Sequence, residues 1–302
     1  MTLPRKSWLT LLTLSALLLS LLVCGVTPLR AASAPSLSAT LPQTIKARGK
    51  LIVGVKCDYP PFGFVDADGK HAGFESDVAR RLAYYAFGNA DAADLECVTG
   101  PNRIPYLTSD RADLIVSVLS WTPDRAKIVA FSTPYFDSSV RMIVPKDSTI
   151  KGWADVRGKT VTTTSGGTPA IWLTKCMPDV HQLLFDNTAD SISALNDGRA
   201  VAYSQDMTLL VGITSKNPSF KIVGEGVARG PFGVGIKLGN EELIRWVNAA
   251  LADMTKEDFF WKSLQQWVPK DDLASFSNAV PRPGRPSISY AEANDIYKCY
   301  GF

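Results

Sequence analysis

Leu114-Ile-Val-Ser-Val-Leu119 is the stretch that most narrows what this chain can fold into. Five of its six residues are apolar and three are β-branched, and the run is too short for a buried helix. Length and branching predict a strand covered on both faces, as in a parallel sheet. Polar residues follow: Thr122 is placed to cap a helix and Pro123 to open it. Arg125 then falls in the first turn, where the helix dipole disfavours a cation. An anion held between that guanidinium and the free backbone N–H groups removes the conflict. On this reading Ser117, Ser120, Thr122 and Arg125 converge on one small carboxylate or phosphate at the strand's C-terminal end. The alternative is a capped helix whose arginine is solvated.

The same logic recurs along the chain. Leu51-Ile-Val-Gly-Val55 reads as a buried strand that ends at Lys56, Cys57 and Asp58. The prolines of Tyr59-Pro-Pro-Phe62 forbid a continued ladder and make a rigid loop. Residues 62–74 alternate around Asp68-Gly69, a hairpin signal, and a helix is predicted over 75–87 with Glu75 and Asp77 as partners of its dipole. Further strands are predicted at 95–98, 140–144, 160–164, 180–185, 200–204, 220–223 and 233–236, with helices at 189–197, from 207, and at 240–254 and 258–267. Thr168 and Pro169, after Ser165-Gly-Gly, repeat the capping pair of Thr122 and Pro123. No Gly-Lys-Ser/Thr follows, so this turn is not a phosphate-binding P-loop. Asp206 ends a strand just before an apolar helix, where a plain N-cap role is the local reading. Strands alternating with helices indicate an α/β protein, and ligands in such sheets lie beyond the strands' carboxyl ends.

The N-terminus carries its own signal. Arg5 and Lys6 precede an uncharged apolar segment over residues 8–26, and Ala32-Ser33-Ala34 offers a cleavage site. Residues 1–34 therefore read as a secretory signal peptide, with a retained signal-anchor helix as the rival. Lipid attachment at Cys24 is disfavoured because Val23 stands where a small residue is wanted. Removing Arg5, Lys6 and Arg30 from the 32 basic residues leaves 29, equal to the 29 acids. A mature chain of zero net charge has no basic field for nucleic acid. Cys57, Cys97, Cys176 and Cys299 remain, an even number that in an exported chain indicates disulfides. No Cys-x-x-Cys or His-containing spacing supports a metal site, and no cofactor is implied. Two histidines, His71 and His181, leave little for Ser-His or Cys-His catalysis.

Taken together, Ser120-Trp-Thr-Pro-Asp-Arg125, Phe131-Ser-Thr-Pro-Tyr135, Tyr59-Pro-Pro-Phe62, Gly73-Phe-Glu-Ser-Asp-Val-Ala79 and Gly198-Arg-Ala-Val-Ala-Tyr-Ser-Gln-Asp206 resemble the amino-acid-binding solute receptors of bacterial ABC importers. The resemblance spans about residues 45–269 and implies the type II periplasmic-binding fold: two α/β lobes with a ligand cleft between them. The implied layout is a flexible leader at 35–44, lobe 1 at 45–138, lobe 2 at 139–234, a return to lobe 1 at 235–269, and a tail at 270–302 docked on lobe 2. The two crossings would lie near 137–142 and 230–235. The resemblance further implies that Arg125 and Ser120 hold a ligand α-carboxylate and Asp206 its ammonium. Tyr59 would pack on the ligand, and Thr168, Gly166 and Gly167 would contact it. The family often has a second hydroxyl where Gly167 stands.

Specificity rests on fewer residues. Members selective for basic amino acids carry an Asp where this chain has Lys56, and Asn102-Arg-Ile-Pro105 resembles glutamate- and aspartate-binding members, which implies that Arg103 meets a side-chain carboxylate. The alternative places Lys56 in solvent and pairs Arg103 with an acid such as Asp110, which favours glutamine instead. In this fold the first two strands are neighbours, implying a Cys57–Cys97 bridge and leaving Cys176 for Cys299. The expected partners are a free amino acid and an ABC permease, with the protein acting as a monomer outside the cytoplasmic membrane. The rival on the same fold is a secreted cyclohexadienyl dehydratase, which needs a carboxyl of raised pKa as general acid.

Overall fold

A computed structural model describes residues 36–291 and 298–301. The expected signal peptide with Cys24, residue 35 of the leader, and residues 292–297 and 302 of the tail lie outside the described residues. The chain opens with α1 (Gln43–Arg48), β1 (Leu51–Val55), the small hairpin strands β2 (Asp58–Tyr59), β3 (Gly63–Val65) and β4 (His71–Ala72), α2 (Phe74–Phe87), β5 (Ala93–Cys97), α3 (Arg103–Thr108), β6 (Leu114–Val116) and β7 (Val129–Phe136). A second unit follows with β8 (Val140–Pro145), β9 (Thr160–Thr164), α4 (Thr168–Cys176), β10 (His181–Phe185), α5 (Thr188–Asn196), β11 (Ala202–Asp206), α6 (Met207–Lys216) and β12 (Phe220–Val227). The chain returns through β13 (Phe232–Lys237), α7 (Glu241–Lys256) and α8 (Phe259–Trp267).

These strands build two five-stranded sheets, ordered β5-β1-β6-β13-β7 and β10-β9-β11-β8-β12. In the first, β5, β1 and β6 are parallel and β13 runs antiparallel between β6 and β7. In the second, β10, β9 and β11 are parallel and β8 is antiparallel to β11 and β12. Strands that enter one sheet in parallel point their carboxyl ends at a common edge, where loops meet. The chain crosses between sheets at residues 137–139 and again at 228–231. The return is complete by Phe232, ahead of the expected boundary at 235, because Phe232 already pairs with Phe136. The crossings run side by side: Gly230 N donates to Ser138 O at 3.0 Å, and Arg229 Nε donates to Asp137 at 2.7 Å.

Amphipathic periodicity sets the helix faces. In α7 the buried residues Leu243, Trp246, Val247, Ala250, Leu251 and Met254 fall on one stripe, and Asn240 caps the start by accepting from Leu243 N. The first core is aromatic, with Phe62, Phe74, Phe136, Phe232 and Phe260 all fully buried; the second centres on Trp153 against Trp172, 4.8 Å between centroids. The leader is not the loose segment its composition suggested. Leu37, Ala39 and Leu41 pack on the first core, an alternation that composition alone conceals.

The tail also departs from expectation. Phe276 and Val280 are buried in the first core, Arg282 pairs with Asp258 at 2.8 Å, and Tyr290 donates to Ser132 O at 2.8 Å while stacking on Trp121. Only then does the chain reach the second unit, where Trp172 Nε1 donates to Lys298 O and Tyr300 packs on that core. Apolar residues at 276 and 280 join the first core, Phe276 lying 5.9 Å from Phe136 between ring centroids, so the tail divides between the units. Both disulfides are present, Cys57–Cys97 and Cys176–Cys299, with Cα–Cα distances of 5.5 and 5.0 Å. Parallel register places Val55 opposite Cys97, which brings Cys57 alongside.

Candidate functional site

The apolar run from Leu114 does not stay a strand as far as Leu119. Pairing of β6 stops at Val116, and Val118 adopts a left-handed φ of 48°, a costly conformation for a β-branched residue. Tertiary hydrogen bonds hold it there. Val118 N donates to Glu75 Oε1 at 2.7 Å, and Arg103 Nη1 donates to Ser117 O and Val118 O at 2.7 and 3.0 Å. The helix expected from Thr122 is one 3-10 turn, Arg125–Lys127. Thr122 Oγ1 does accept from Arg125 N at 3.1 Å, but so short a turn has no appreciable dipole to attract an anion. Geometry replaces it. Arg125 is 7% exposed and donates to Ser120 O at 2.7 Å and to Gly166 O of the other sheet at 2.8 Å.

Arg103 converges on the same point. It is buried, and its Nη2 also reaches Gly166 O, at 3.4 Å. Asp110, the alternative partner, pairs instead with Lys237 on the surface. Lys56 is not in solvent either: it is 5% exposed, and burial lowers its amine to about 8 with Asp58 opposing and Arg103 adding to the shift. Tyr59 is buried beside it, the Lys56 Nζ lying 5.9 Å from the ring centroid.

Glu75 and Asp77 stand in the first turn of α2 as expected, but each also has partners outside the helix. Glu75 is fully buried and accepts from Val118 N and the Tyr135 hydroxyl. Burial raises its carboxyl to about 7 against the pull of those bonds, Arg103 and Lys56. Asp77 accepts from Ser263 Oγ and Trp267 Nε1 and so ties α2 to α8. A signal for Glu75 was in the sequence: with Val78, Ala79 and Leu82 it occupies one helical face, and all four are buried.

From the second sheet come Thr168, its neighbouring glycines and Asp206. The helix α4 is capped by Gly167 backbone rather than by Thr168, because the turn closed by Gly167 N on Thr164 O starts the helix one residue early. That frees the Thr168 hydroxyl, which donates across to Ser120 Oγ at 3.1 Å. Asp206 makes no side-chain cap on α6. It is 6% exposed, and burial raises its carboxyl to about 7 against Arg103, Arg125, the Tyr59 hydroxyl and Lys56. The sheets meet backbone to backbone here. A Cβ on Gly100 would lie 2.3 Å from Ser165 O, so only glycine permits the approach.

The structure thus gathers Lys56, Tyr59, Arg103, Ser120, Thr122, Arg125, Gly167, Thr168 and Asp206 at the facing edges of two sheets. Ser117 Oγ, Arg103 Nε and Glu75 Oε2, all buried, have no hydrogen-bond partner among the described residues. Two guanidiniums that converge on one carbonyl oxygen are equally able to grip a carboxylate.

Residues 51–270 match the model of bacterial extracellular solute-binding proteins, family 3. The chain belongs to this family. As a solute-binding protein it is similar to the glutamine-binding protein of Geobacillus stearothermophilus, 37% identical over 195 residues and covering 64% of this chain and 74% of that one. It is 31% identical to the L-cystine-binding protein TcyJ of Escherichia coli K12 over 230 residues, 75% of this chain and 85% of the relative. Among solved structures, the cysteine-binding protein from Campylobacter jejuni superposes with a TM-score of 0.73 at 31% identity, covering 74% and 91% of the two chains. The two sheets are accordingly the two lobes of a periplasmic-binding fold. The tail beyond residue 270 is an addition of this solute-binding protein outside the matched region. Among its described residues, Cys57, His71 and Cys97 lie close enough together to hold a metal ion, but the two sulfurs are bonded to each other.

Proposed function

We propose that this protein captures a free amino acid with an acidic side chain between its lobes, for delivery to an ABC permease. The observation that carries the reading is the charge balance of the cleft. Lys56, Arg103 and Arg125 stand buried against two buried carboxyls, Asp206 and Glu75. An α-amino acid brings one charge of each sign at its backbone, which Arg125 and Asp206 take from opposite lobes. Among these buried groups one positive charge is then left over, the half-buried Asp58 beside Lys56 being engaged by Thr188 N; a side-chain carboxylate balances it, whereas lysine or arginine would meet like charge. In this arrangement Ser117, Ser120, Thr122 and Thr168 surround the α-carboxylate, Tyr59 packs on the ligand, Gly167 admits it to backbone, and Arg103 with Lys56 faces the side chain. The relatives named above are binding proteins for neutral amino acids, which favours capture over the dehydratase alternative and makes the ligand's side-chain charge the point to test.

Thermal unfolding with glutamate, aspartate, glutamine and arginine tests it. A ligand at about a hundred times its dissociation constant adds roughly 2.7 kcal/mol and shifts the melting point visibly. Glutamate or aspartate is expected to give the largest shift, and Arg103→Met to reverse the order of glutamate and glutamine. A larger wild-type shift with glutamine, or an unchanged order in the variant, rejects acidic specificity. No shift with any amino acid rejects the whole reading.

Affinity is also expected to depend on pH with two limbs. The ligand ammonium needs Asp206 ionised, so binding weakens as pH falls below about 7, where Asp206 of the free protein takes up a proton. The side-chain carboxylate needs Lys56 charged, so binding weakens again above about 8. Calorimetry across this range should give a maximum between the two values and proton release on binding along the acid limb. A constant affinity on both sides argues against these two roles.

A further inference from the structure

One short segment, Asp58 to Pro61, makes several lobe-to-lobe contacts away from the charged cluster. Asp58 Oδ2 accepts a hydrogen bond at 2.9 Å from Thr188 N, the first residue of α5 in the opposite lobe. Asn187, which caps that helix, accepts from Asp190 N and leaves Thr188 N to Asp58. The neighbouring Tyr59 hydroxyl lies 3.4 Å from Thr208 Oγ1 in α6. Pro60 and Pro61 press on Gly212 of the same helix: a Cβ there would lie 2.4 Å from Pro60 O and 2.7 Å from Pro61 Cδ. The segment is fixed to its own lobe by the Cys57–Cys97 bond and by Val65 N donating to Cys57 O. It therefore meets the second lobe as a preformed surface.

We propose that Asp58 is a positioning residue for ligand capture: it sets affinity by holding α5 in the closed arrangement and touches no ligand. This rests on the reading that the ligand binds between the lobes. When the lobes part, the carboxylate and the Thr188 N–H both return to water; when they close, they exchange water for a charge-assisted hydrogen bond at a helix N-terminus. Any contact made only in the closed state raises the closed population, and apparent affinity follows by the same factor for every ligand. Because the contact must break before release, the gain sits mainly in the dissociation rate.

The test is Asp58→Ala, read by stopped-flow dissociation, calorimetry, and energy transfer between dyes placed on the two lobes. Affinity is expected to fall about five- to thirtyfold, mostly through faster dissociation, by one factor for two neutral amino acids, whose binding does not draw on the Lys56 charge that Asp58 supports. Asp58→Asn, which keeps an oxygen acceptor, should recover most of it. Thr188→Pro removes the donor from the other side at a helix position that tolerates proline; it should match Asp58→Ala, and the double variant should lose no more than either. Unchanged affinity, a loss that reorders the neutral ligands, or additive losses in the double variant would overturn the proposal. The dye measurement without ligand keeps this separate from the amino-acid reading. Asp58→Ala should shift the ligand-free distances toward the open form whether or not the natural ligand has been identified, and an unchanged distribution sinks the latch alone.

Discussion

Arg125→Ala is expected to weaken binding of the preferred amino acid by about a hundredfold. The guanidinium is buried, donates to Ser120 O within its own lobe and reaches Gly166 O in the other. On the proposed reading, removing it takes away the partner of the α-carboxylate, and with it the hydrogen bond to Gly166 O in the other lobe. Truncating one member of a buried, hydrogen-bonded charge pair costs roughly 2–5 kcal/mol, and each 1.4 kcal/mol is about tenfold in affinity. Arg125→Lys should recover little, since an ammonium cannot span two acceptors set for a planar fork. Titration calorimetry on both variants decides the matter, and near wild-type affinity in Arg125→Ala means the α-carboxylate lies elsewhere.

Loss of the Cys176–Cys299 bond is expected to cost the most in stability. The bridge joins residues 123 apart in sequence, against 40 for Cys57–Cys97. In the chain-entropy account a loop of the longer size contributes about 5 kcal/mol and the shorter about 4. The Cys176→Ser/Cys299→Ser double variant should therefore unfold at clearly lower denaturant than wild type, by more than the Cys57→Ser/Cys97→Ser pair. Equal midpoints for wild type and the first variant would mean that the tail stays docked through Tyr290, Phe276 and Lys298 alone.

Much of the fold was legible because buried strands and amphipathic helices announce themselves by period. The carboxyl edges were legible too. A polar residue at the end of a buried strand, as Asp206 is, has only the sheet's rim to occupy. What escaped were side chains whose partners are far away in sequence. Glu75 sits at a helix start, where any acid is locally satisfactory; its place on the face of Val78, Ala79 and Leu82 marks it for burial, but its partners Tyr135 and Val118, 60 and 43 residues on, carry no local mark. Val118 continues an apolar run and carries no local mark of a left-handed backbone. Arg103 could not be assigned between surface and cleft because α3 is six residues long, too short for periodicity to choose a face. Thr168 was assigned to a cap and proved a bridge, since one residue's shift in the helix start changes what its hydroxyl must do.

The tail changes what proteolysis can do to this molecule. Two peptide crossings join the lobes in the matched region, and a protease that cut both at 137–139 and 228–231 would ordinarily release the second lobe as a separate fragment. Here the excised piece carries Cys176 and the last piece carries Cys299, while Phe276, Val280 and Tyr290 hold that last piece against the first lobe. The doubly nicked protein therefore stays one particle: denaturant alone frees the N-terminal piece, whose Cys57–Cys97 bond is internal, while the excised and last pieces part only when Cys176–Cys299 is also reduced.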